Sequence, residues 1–402
     1  MKKSYILIVF CVSISVLISL LLSRQQSILI RSDHYSRWYA TYRLISDNRS
    51  IYDPQNGVDV VSLNSRPTDP IAGTFSYPAH LLFFTLPFAL LPYPIAHFLW
   101  LVIIQLFVII AIWLLYREME WPKTINQFTI FLILSIFFIP NIQNVIWGQF
   151  NSISVISLVI IILALRRDEY FIAGLCSIGL TFKPQTMLFV LAFLIFWAIF
   201  SRKRWHFLLG LGLSLFGSIL FANWYEPNWI SFFIEGLEIY SKFFNPKSVI
   251  DSLIPHGWIL YIFAAVITVL LFLYNRKSSP ISISFNGSIV YSLGISWLTV
   301  PVLGMMNLVA FPIALILLFS SFGDYNKKLY RLSIASFSLI YFFGLLGFIY
   351  GLSNPNLYGQ HIHLSELAYK IIASGLLILF SIPLTLSSKT QKEVEDSFMV
   401  SY

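Results

Sequence analysis

Asp33 is the residue best placed to do acid–base chemistry at a membrane surface. It follows an apolar run of about Tyr5–Leu22 after a short polar connection. If the chain around Asp33 is helical, Arg37 lies one turn further along on the same face. The carboxylate could remove a proton from a membrane-bound substrate, and Arg37 could hold a phosphate beside it. Alternatively, the two residues form an ordinary surface ion pair.

Lys183 is the second candidate, because it lies between two apolar runs and is followed by Pro184. An ionisable side chain at membrane depth is costly and by default indicates a function. Lys183 could bind a lipid phosphate where a helix is broken. The alternative is a lysine that snorkels from the end of a helix to the lipid headgroups.

Two amides, Gln149 and Asn151, lie in an uncharged polar stretch between apolar runs, shortly after Asn141 and Asn144. Amides in such a position could hydrogen-bond the hydroxyl groups of a sugar. They could equally join interrupted helices through the backbone groups that a break leaves free. The spacing alone leaves both interpretations open.

Histidines give a weak signal for a metal site. His34 follows Asp33, and the pair His361 and His363 has Glu366 as its nearby carboxylate. A zinc site needs three or four assembled ligands. We therefore predict no cofactor and no bound metal, although a divalent ion is compatible with the chemistry. The sequence also contains no nucleotide-binding loop and no serine-nucleophile motif.

The elements that position these residues are apolar segments. Of the 402 residues, 57% are hydrophobic and 11% charged, with a mean hydropathy of +0.78, whereas soluble domains carry about a quarter charged residues. The sequence predicts an all-α polytopic membrane protein with one integral domain over residues 1–390. Residues 391–402 are expected to form a disordered cytoplasmic tail. The first apolar run lacks a cleavage pattern and is interpreted as an uncleaved signal anchor.

The apolar runs predict about 11 to 13 transmembrane helices. They cover about Tyr5–Leu22, Pro78–Leu91, Ile95–Tyr116, Ile125–Ile139, Ile153–Leu165, Phe171–Phe182, Thr186–Phe200, Phe207–Phe221, Trp258–Tyr274, Ile283–Val300, Val302–Ser320, Ser333–Tyr350 and Ala368–Leu386. Three of them, Pro78–Leu91, Ile153–Leu165 and Phe171–Phe182, are short for a crossing of about 20 residues. Broken helices around a protein-enclosed cavity would explain their length.

The net charge of +8 is spread over short basic clusters, such as Arg166-Arg167 and Arg202-Lys203-Arg204, that border apolar runs. The positive-inside rule explains this pattern and makes a nucleic-acid partner unnecessary. It also places the polar loop Ser23–Ser76, and Asp33 with it, on the extracytoplasmic side of a plasma membrane. The two cysteines lie inside apolar runs and are interpreted as packing residues.

Several motifs occur in order between Asp33 and Trp205. They are Asp33-His34-Tyr35, Ile51-Tyr52-Asp53-Pro54, Phe75-Ser76-Tyr77-Pro78, Leu86-Pro87-Phe88-Ala89-Leu90-Leu91-Pro92, Gly148-Gln149-Phe150-Asn151, and Ala173-Gly174 through Lys183-Pro184. In this order the motifs resemble glycosyltransferase family 87, membrane enzymes of the GT-C class that use polyprenyl-phosphate sugars. The C-terminal half resembles the family in hydropathy alone, and Val300–Asn307 lacks the histidine of the family's late polar segment.

The resemblance implies a GT-C-like helical bundle with an extracytoplasmic first loop. It implies an inverting transfer of a hexose, mannose in the first instance, from a polyprenyl-phosphate carrier to a glycan or glycolipid acceptor. Asp33 would be the general base, and Lys183, Arg37 and Arg43 would bind the donor phosphate. Substrate contacts are expected from His34, Tyr35, Tyr77, Gln149 and Asn151. We expect the protein to act as a monomer within the lipid bilayer.

Three other functions compete with this interpretation. A transporter or flippase of a lipid-linked or small solute would also use broken helices, but such proteins often show two similar halves. The two halves of this sequence are not evident repeats. A polymerase or ligase of surface glycans would differ in making products of many units. A structural scaffold would leave the ionisable first loop unexplained.

Overall fold

The computed structural model describes residues 2–25, 32–63, 74–119, 121–122, 124–244, 248, 250–251, 258–300, 304–353 and 361–387. These residues form helices and connecting turns, without a strand among them. The α-helices are α1 (Lys2–Arg24), α2 (Asp33–Asp47), α3 (Pro54–Leu63), α4 (Leu82–Ala89), α5 (Tyr93–Met119), α6 (Ile125–Ile136), α7 (Ile139–Ile146), α8 (Asn151–Arg166), α9 (Tyr170–Cys176), α10 (Pro184–Ile199), α11 (Trp205–Tyr225), α12 (Trp229–Phe244), α13 (Trp258–Asn275), α14 (Ile283–Thr299), α15 (Phe311–Tyr325), α16 (Lys327–Ser353) and α17 (His361–Thr385). The tail and the loop 354–360 lie outside the described residues.

Within the described ranges, five helical segments are long and apolar enough to cross a membrane: Ile6–Arg24, Tyr93–Met119, Arg202–Tyr225, Met305–Phe322 and Leu367–Thr385. A sixth crossing is formed if α6 and α7, which are bent by 47° at their junction, act as one span. Shorter apolar helices, including α8 and α10, pack between the long ones. The predicted all-α polytopic membrane protein is confirmed, whereas a count of 11 to 13 crossings stays a prediction.

The segment Phe171–Phe182 is broken, as its length predicted. Helix α9 ends at Cys176 and continues as a 3₁₀ turn, Ser177–Leu180, before the chain reverses at Lys183 and α10 begins with Pro184. Gly174 of α9 and Gly210 of α11 allow the two helices to pack directly on each other. A Cβ on Gly174 would lie 2.1 Å from the carbonyl oxygen of Phe207, and one on Gly210 would lie 2.3 Å from that of Phe171. The close contact fixes the short helix that leads to Lys183.

The segment Pro78–Leu91 is short in the structure, as its length in the sequence indicated. Helix α4 has eight residues, about 12 Å of helix, and both of its ends lie against α2 and the turn that follows. Trp38 donates from its indole N–H to the carbonyl of Leu91 at 3.2 Å. Near the other end of the segment, Tyr52 donates to the carbonyl of Tyr77 at 2.7 Å. The segment therefore packs along α2 and the turn that follows it, and a crossing there stays a prediction.

The basic clusters gather at the end of the bundle remote from α2. Helix α5 runs from Tyr93, which packs on α2, to Glu118, which pairs with Arg167 at 3.6 Å. Arg204 donates to the carbonyl of Arg276 at 2.8 Å at this same end. The two ends of the bundle thus differ in charge, with α2 and α3 at one and the basic turns at the other.

Candidate active site

The start of α2 is joined to the end of α7. Ser32 caps α2 by accepting a hydrogen bond from the backbone N–H of His34 at 3.1 Å, and the N–H of Asp33 donates to the carbonyl of Trp147 at 2.9 Å. Gly148 has a φ of +60°, and a Cβ there would lie 2.7 Å from Ser32 Oγ. Because only glycine fits both conditions, it lets the chain carrying Gln149 pass beside Asp33.

Gln149 is the centre of the site. Its Nε2 donates to Asp33 Oδ2, and its Oε1 accepts one hydrogen bond from Lys183 Nζ at 3.0 Å and one from Tyr77 Oη at 3.1 Å. One buried amide therefore connects residues from three separate parts of the chain. All three hydrogen bonds are to protein groups, so a contact between Gln149 and a sugar hydroxyl stays a prediction.

Arg37 lies against the same carboxylate, but not as a surface ion pair. Its Nη1 donates to the backbone carbonyl of Asp33 at 2.8 Å and to Ser36 Oγ at 2.7 Å, and lies 3.7 Å from Asp33 Oδ1. The side chain of Arg37 is 9% exposed and that of Asp33 is 29% exposed. Its guanidinium lies over the ring of Tyr77 at 5.0 Å. The carboxylate is accessible, and the cation beside it is held by packing.

Lys183 does not snorkel. The residue is 6% exposed and its ammonium bonds to Gln149 inside the protein. Asp33 attracts a charge on Lys183, whereas Arg37 and Lys370, the latter buried in α17, repel it. The site therefore combines one carboxylate with basic side chains from α2 and from the break before α10, with Lys370 near enough to act on Lys183 electrostatically.

Asn151 lies next to this network without joining it. Its Nδ2 donates to Asn144 Oδ1 at 3.1 Å and to the backbone carbonyl of Met306 at 2.8 Å. The amide thus connects the first turn of α8 to α7 and to the 3₁₀ turn Met305–Leu308. Its described contacts match the second interpretation, in which an amide joins interrupted helices.

Three further residues predicted for the site are not brought to the carboxylate. The ring of His34 is fully buried and stacks on Trp100 with centroids 5.4 Å apart. Tyr35 packs edge-on against Tyr93 with centroids 4.6 Å apart. Arg43 pairs with Asp47 at 2.6 Å, about 15 Å along the helix from Asp33. In this arrangement His34 and Tyr35 hold α2 in place, and Arg43 belongs to the far end of that helix.

Two residues near the site were missed by the sequence interpretation. Lys370 is a charged residue within the last apolar run, which is the same signal that identified Lys183. His80 is buried, and its ring lies 5.0 Å from that of Phe182, the neighbour of Lys183. A histidine beside an apolar run was the available signal for it.

No cluster of three or more His, Cys, Asp or Glu side chains suited to a metal ion occurs in the described part of the chain. The side chains of His361, His363 and Glu366 lie outside the described residues, so the absence of a metal stays a prediction. The two cysteines are free, as their positions in apolar runs suggested.

The arrangement can remove a proton and bind an anion within one small volume. An accessible carboxylate held by a neutral amide can act as a base, and buried cations can stabilise negative charge that develops on a leaving group. Together, the fold and the site define a multi-span membrane protein in which one amide joins a carboxylate to a buried lysine.

The sequence model of glycosyltransferase family 87 matches residues 75–301. The match covers more than half of the chain, which therefore belongs to this family and is a membrane glycosyltransferase. Tyr77, Gln149, Asn151 and Lys183 lie within the matched region, whereas Asp33 precedes it. Comparisons with curated proteins and with solved structures give no match.

Proposed function

We propose that the protein transfers a hexose, mannose in the first instance, from a polyprenyl-phosphate carrier to a glycan or glycolipid acceptor. Asp33 is the general base of this reaction. The observation that carries the proposal is the bridge through Gln149, which holds an accessible carboxylate and a buried ammonium on one side chain. A base for the acceptor and a cation for the phosphate are the two groups that such a transfer needs.

The reaction is a single displacement. The acceptor hydroxyl oxygen bonds to the anomeric carbon as the bond from that carbon to the phosphate oxygen breaks, and the hydroxyl proton passes to Asp33. Gln149 holds Oδ2, which leaves Oδ1 to receive the proton. The bonding electrons leave with the phosphate, where Lys183 and Arg37 stabilise them. The phosphate is already a good leaving group. Most of the rate enhancement therefore comes from aligning the acceptor hydroxyl with the anomeric carbon and from compensating the charge on the phosphate.

A monophosphate carrier gains negative charge when the sugar leaves. A sugar phosphodiester carries one negative charge, and the lipid monophosphate that leaves carries close to two. Arg37, which lies beside Asp33, and the amines of Lys183 and Lys370 are the groups that would compensate this added charge. Arg43 is too far along α2 to contribute in this arrangement, and Tyr77 and Gln149 remain the residues expected to meet the sugar.

We place the reaction on the extracytoplasmic side of the plasma membrane, with the protein as a monomer. The basic turns around Arg167, Arg204 and Arg276 lie at the end opposite to α2, and positively charged turns favour the cytoplasm. The carboxylate at the start of α2 would then face outward, toward the leaflet that contains the carrier.

The decisive test compares Asp33→Asn with Asp47→Asn. Both substitutions remove a carboxylate from α2, but Asp47 pairs with Arg43 away from the site. Purified variants are given radiolabelled polyprenyl-phosphate mannose and an acceptor extract, and transferred sugar is measured. We expect the rate of sugar transfer to fall about 10²–10⁴-fold in Asp33→Asn and to stay near that of the unaltered protein in Asp47→Asn.

Two results would change the assignment. Near-normal transfer by Asp33→Asn removes Asp33 from the role of base. Movement of the intact lipid-linked sugar across the membrane of a vesicle, with its sugar–phosphate bond unbroken, would support a flippase instead. Running the assay with the glucose and galactose carriers identifies the sugar.

A further inference from the structure

One exposed stripe runs the length of α11. Its members follow one another at intervals of three or four residues, so they lie on one face of the helix. They are Trp205, Leu209, Leu213, Phe216, Leu220 and Trp224, and each is at least 50% exposed. Because Arg202–Tyr225 is long and apolar enough to cross a membrane, this stripe faces lipid.

The two tryptophans at the ends of the stripe match the thickness of a bilayer. Trp224 follows Trp205 by 19 positions, which is about 28 Å of helix, and the hydrocarbon core of a bilayer is about 30 Å thick. Tryptophan is enriched at both membrane–water interfaces. Trp205 lies at the basic end of the bundle, directly after Arg204. Trp224 therefore marks the boundary of the bilayer at the other end.

Helix α12 begins at this second boundary. The chain turns between α11 and α12 at residues 226–228, where Asn228 has a φ of +64°. The buried carboxylate of Glu226 accepts a hydrogen bond from the backbone N–H of Ile51 at 2.9 Å. The start of α12 is thus held against the loop that follows α2, and it lies five positions after Trp224.

Two sides of α12 meet the rest of the protein. Trp229 is 7% exposed, and its ring packs on that of His80 with centroids 6.1 Å apart. On a neighbouring side, Phe232 and Ile239 line a cavity against the segment 74–76. These contacts leave the other half of the helix surface uncovered.

The uncovered half of α12 is divided into a polar and an apolar face. Four exposed polar residues follow one another at helical spacing: Ser231, Glu235, Glu238 and Lys242. The apolar face consists of Ile230, Ile234 and Leu237, which are 47%, 60% and 42% exposed. Three charged side chains in 16 residues are costly inside hydrocarbon, so α12 is unsuited to cross the bilayer. An exposed apolar face beside a charged one is typical of a helix that lies in the membrane interface.

We propose that α12 lies flat in the headgroup layer of the bilayer, with Ile230, Ile234 and Leu237 among the upper acyl chains and the charged face in water. The partner of this face is the phospholipid surface, because the lipid-facing stripe of α11 ends at Trp224, just before α12 begins. The charged face carries two acidic side chains and one basic side chain, so the binding does not require anionic lipid. This inference does not rest on the proposed function.

The position of α12 fixes the depth of the candidate site. The ring of Trp229, at the start of α12, packs on His80, and the ring of His80 lies 5.0 Å from that of Phe182. The residue after Phe182 is Lys183. Lys183 is therefore two ring contacts from the boundary of the bilayer, close to the level of lipid phosphates.

The test places one nitroxide label on each of two faces of α12. Leu237→Cys and Glu235→Cys are made in a protein whose Cys11 and Cys176 are replaced by alanine. The two positions are about 200° apart around the helix. Leu213→Cys, in the middle of the α11 stripe, is the control for a lipid position. The labelled proteins are reconstituted in phosphatidylcholine nanodiscs, and collisions of each label with oxygen and with nickel ethylenediaminediacetate are measured.

Oxygen concentrates in lipid, whereas the polar nickel complex stays in water. We expect the ratio of oxygen to nickel collisions to be about tenfold higher at Leu237 than at Glu235, and higher again at Leu213. Equal ratios at the two α12 positions would overturn the proposal. Few collisions with either reagent at Leu237 would show that protein covers the apolar face, and this would overturn it too.

Labels along α11 test the boundary itself. The same ratio should be highest at Leu213 and Phe216 and should fall toward Leu209 and Leu220. A ratio that keeps rising through Leu220 would place the boundary beyond Trp224 and refute the position given to α12. None of these measurements needs turnover, so a protein that transfers no sugar could still support this inference, and an active one could still refute it.

Discussion

Replacing Gln149 by methionine tests whether one amide holds the site together. Methionine has nearly the shape of glutamine but makes none of its three hydrogen bonds, to Asp33, Lys183 and Tyr77. The bond from the charged Lys183 contributes about 1.5–3 kcal/mol and the bond from Tyr77 about 0.5–1.5 kcal/mol. Asp33 is partly exposed, so water can replace its lost donor.

The expected loss is about 3 kcal/mol, which corresponds to a fall of about 10²-fold in kcat/KM if it appears in the transition state. The assay is transfer from radiolabelled polyprenyl-phosphate mannose at varied acceptor concentration. Because Gln149 acts by positioning the base and the cation, kcat should fall while KM for the acceptor changes less than about threefold.

Asn151→Leu is the matched control, since it also removes a buried amide. Its hydrogen bonds to Asn144 and Met306 connect helices, so its thermal midpoint should fall more than its kcat. Transfer by Gln149→Met within about threefold of normal, or a larger loss of kcat in Asn151→Leu, would refute the assignment of Gln149 as the centre of the site.

Three further predictions concern other parts of the molecule. Lys370→Met should raise KM for the polyprenyl-phosphate donor by about tenfold, and Lys370→Arg should restore most of the affinity, because the charge meets the phosphate; equal KM values in all three proteins would contradict this. Gly174→Ala should lower stability by about 2–3 kcal/mol, since its Cβ would lie 2.1 Å from a backbone oxygen of α11, whereas Gly212→Ala meets open space; thermal unfolding in detergent compares the two. Burial raises the pKa of Asp59, but hydrogen bonds from Gln55, Arg49 and Tyr39 outweigh it and hold the pKa below its ordinary value of 3.8. The stabilisation is thus complete above pH 3.8 and is lost as pH falls through the lower folded-state value; the protection factors of α3 amides against hydrogen exchange should fall in that range, and this fall should be absent in Asp59→Asn.

The sequence predicted the parts of the site that local signals mark. A lysine between apolar runs violates the rule that charge avoids lipid, and a carboxylate just past the first helix lies at the membrane surface. The structure brings Asp33 and Lys183 to one amide. The same rule applied to Lys370 would have found the third cation. Whether Arg37 is buried could not be read from its spacing, since burial depends on the packing of Tyr77 from a distant loop.

Contacts between residues far apart in the chain determine features of the fold that the sequence did not predict. Helix α17 reaches α14 because a Cβ at Gly287 or Gly294 would lie within 3 Å of α17 atoms, and no local pattern pairs these helices. The segment Pro78–Leu91 has the composition of a crossing, and its contacts with Trp38 and Tyr52, which the sequence did not predict, hold it against α2 and the turn that follows. The hydropathy of a segment predicts whether lipid or water surrounds it. It does not predict the direction in which the segment runs.

The site lies where helices are interrupted, and there is a physical reason for this. In lipid every backbone polar group needs a partner, so a break is tolerated only where protein groups supply one. Trp147 at the end of α7 accepts from the N–H of Asp33, and Met306 in a 3₁₀ turn accepts from Asn151. The break before α10 also places Lys183 where its ammonium can bond to Gln149 beside Asp33. A variant that restores a continuous helix at Lys183 should therefore lose this arrangement together with the break.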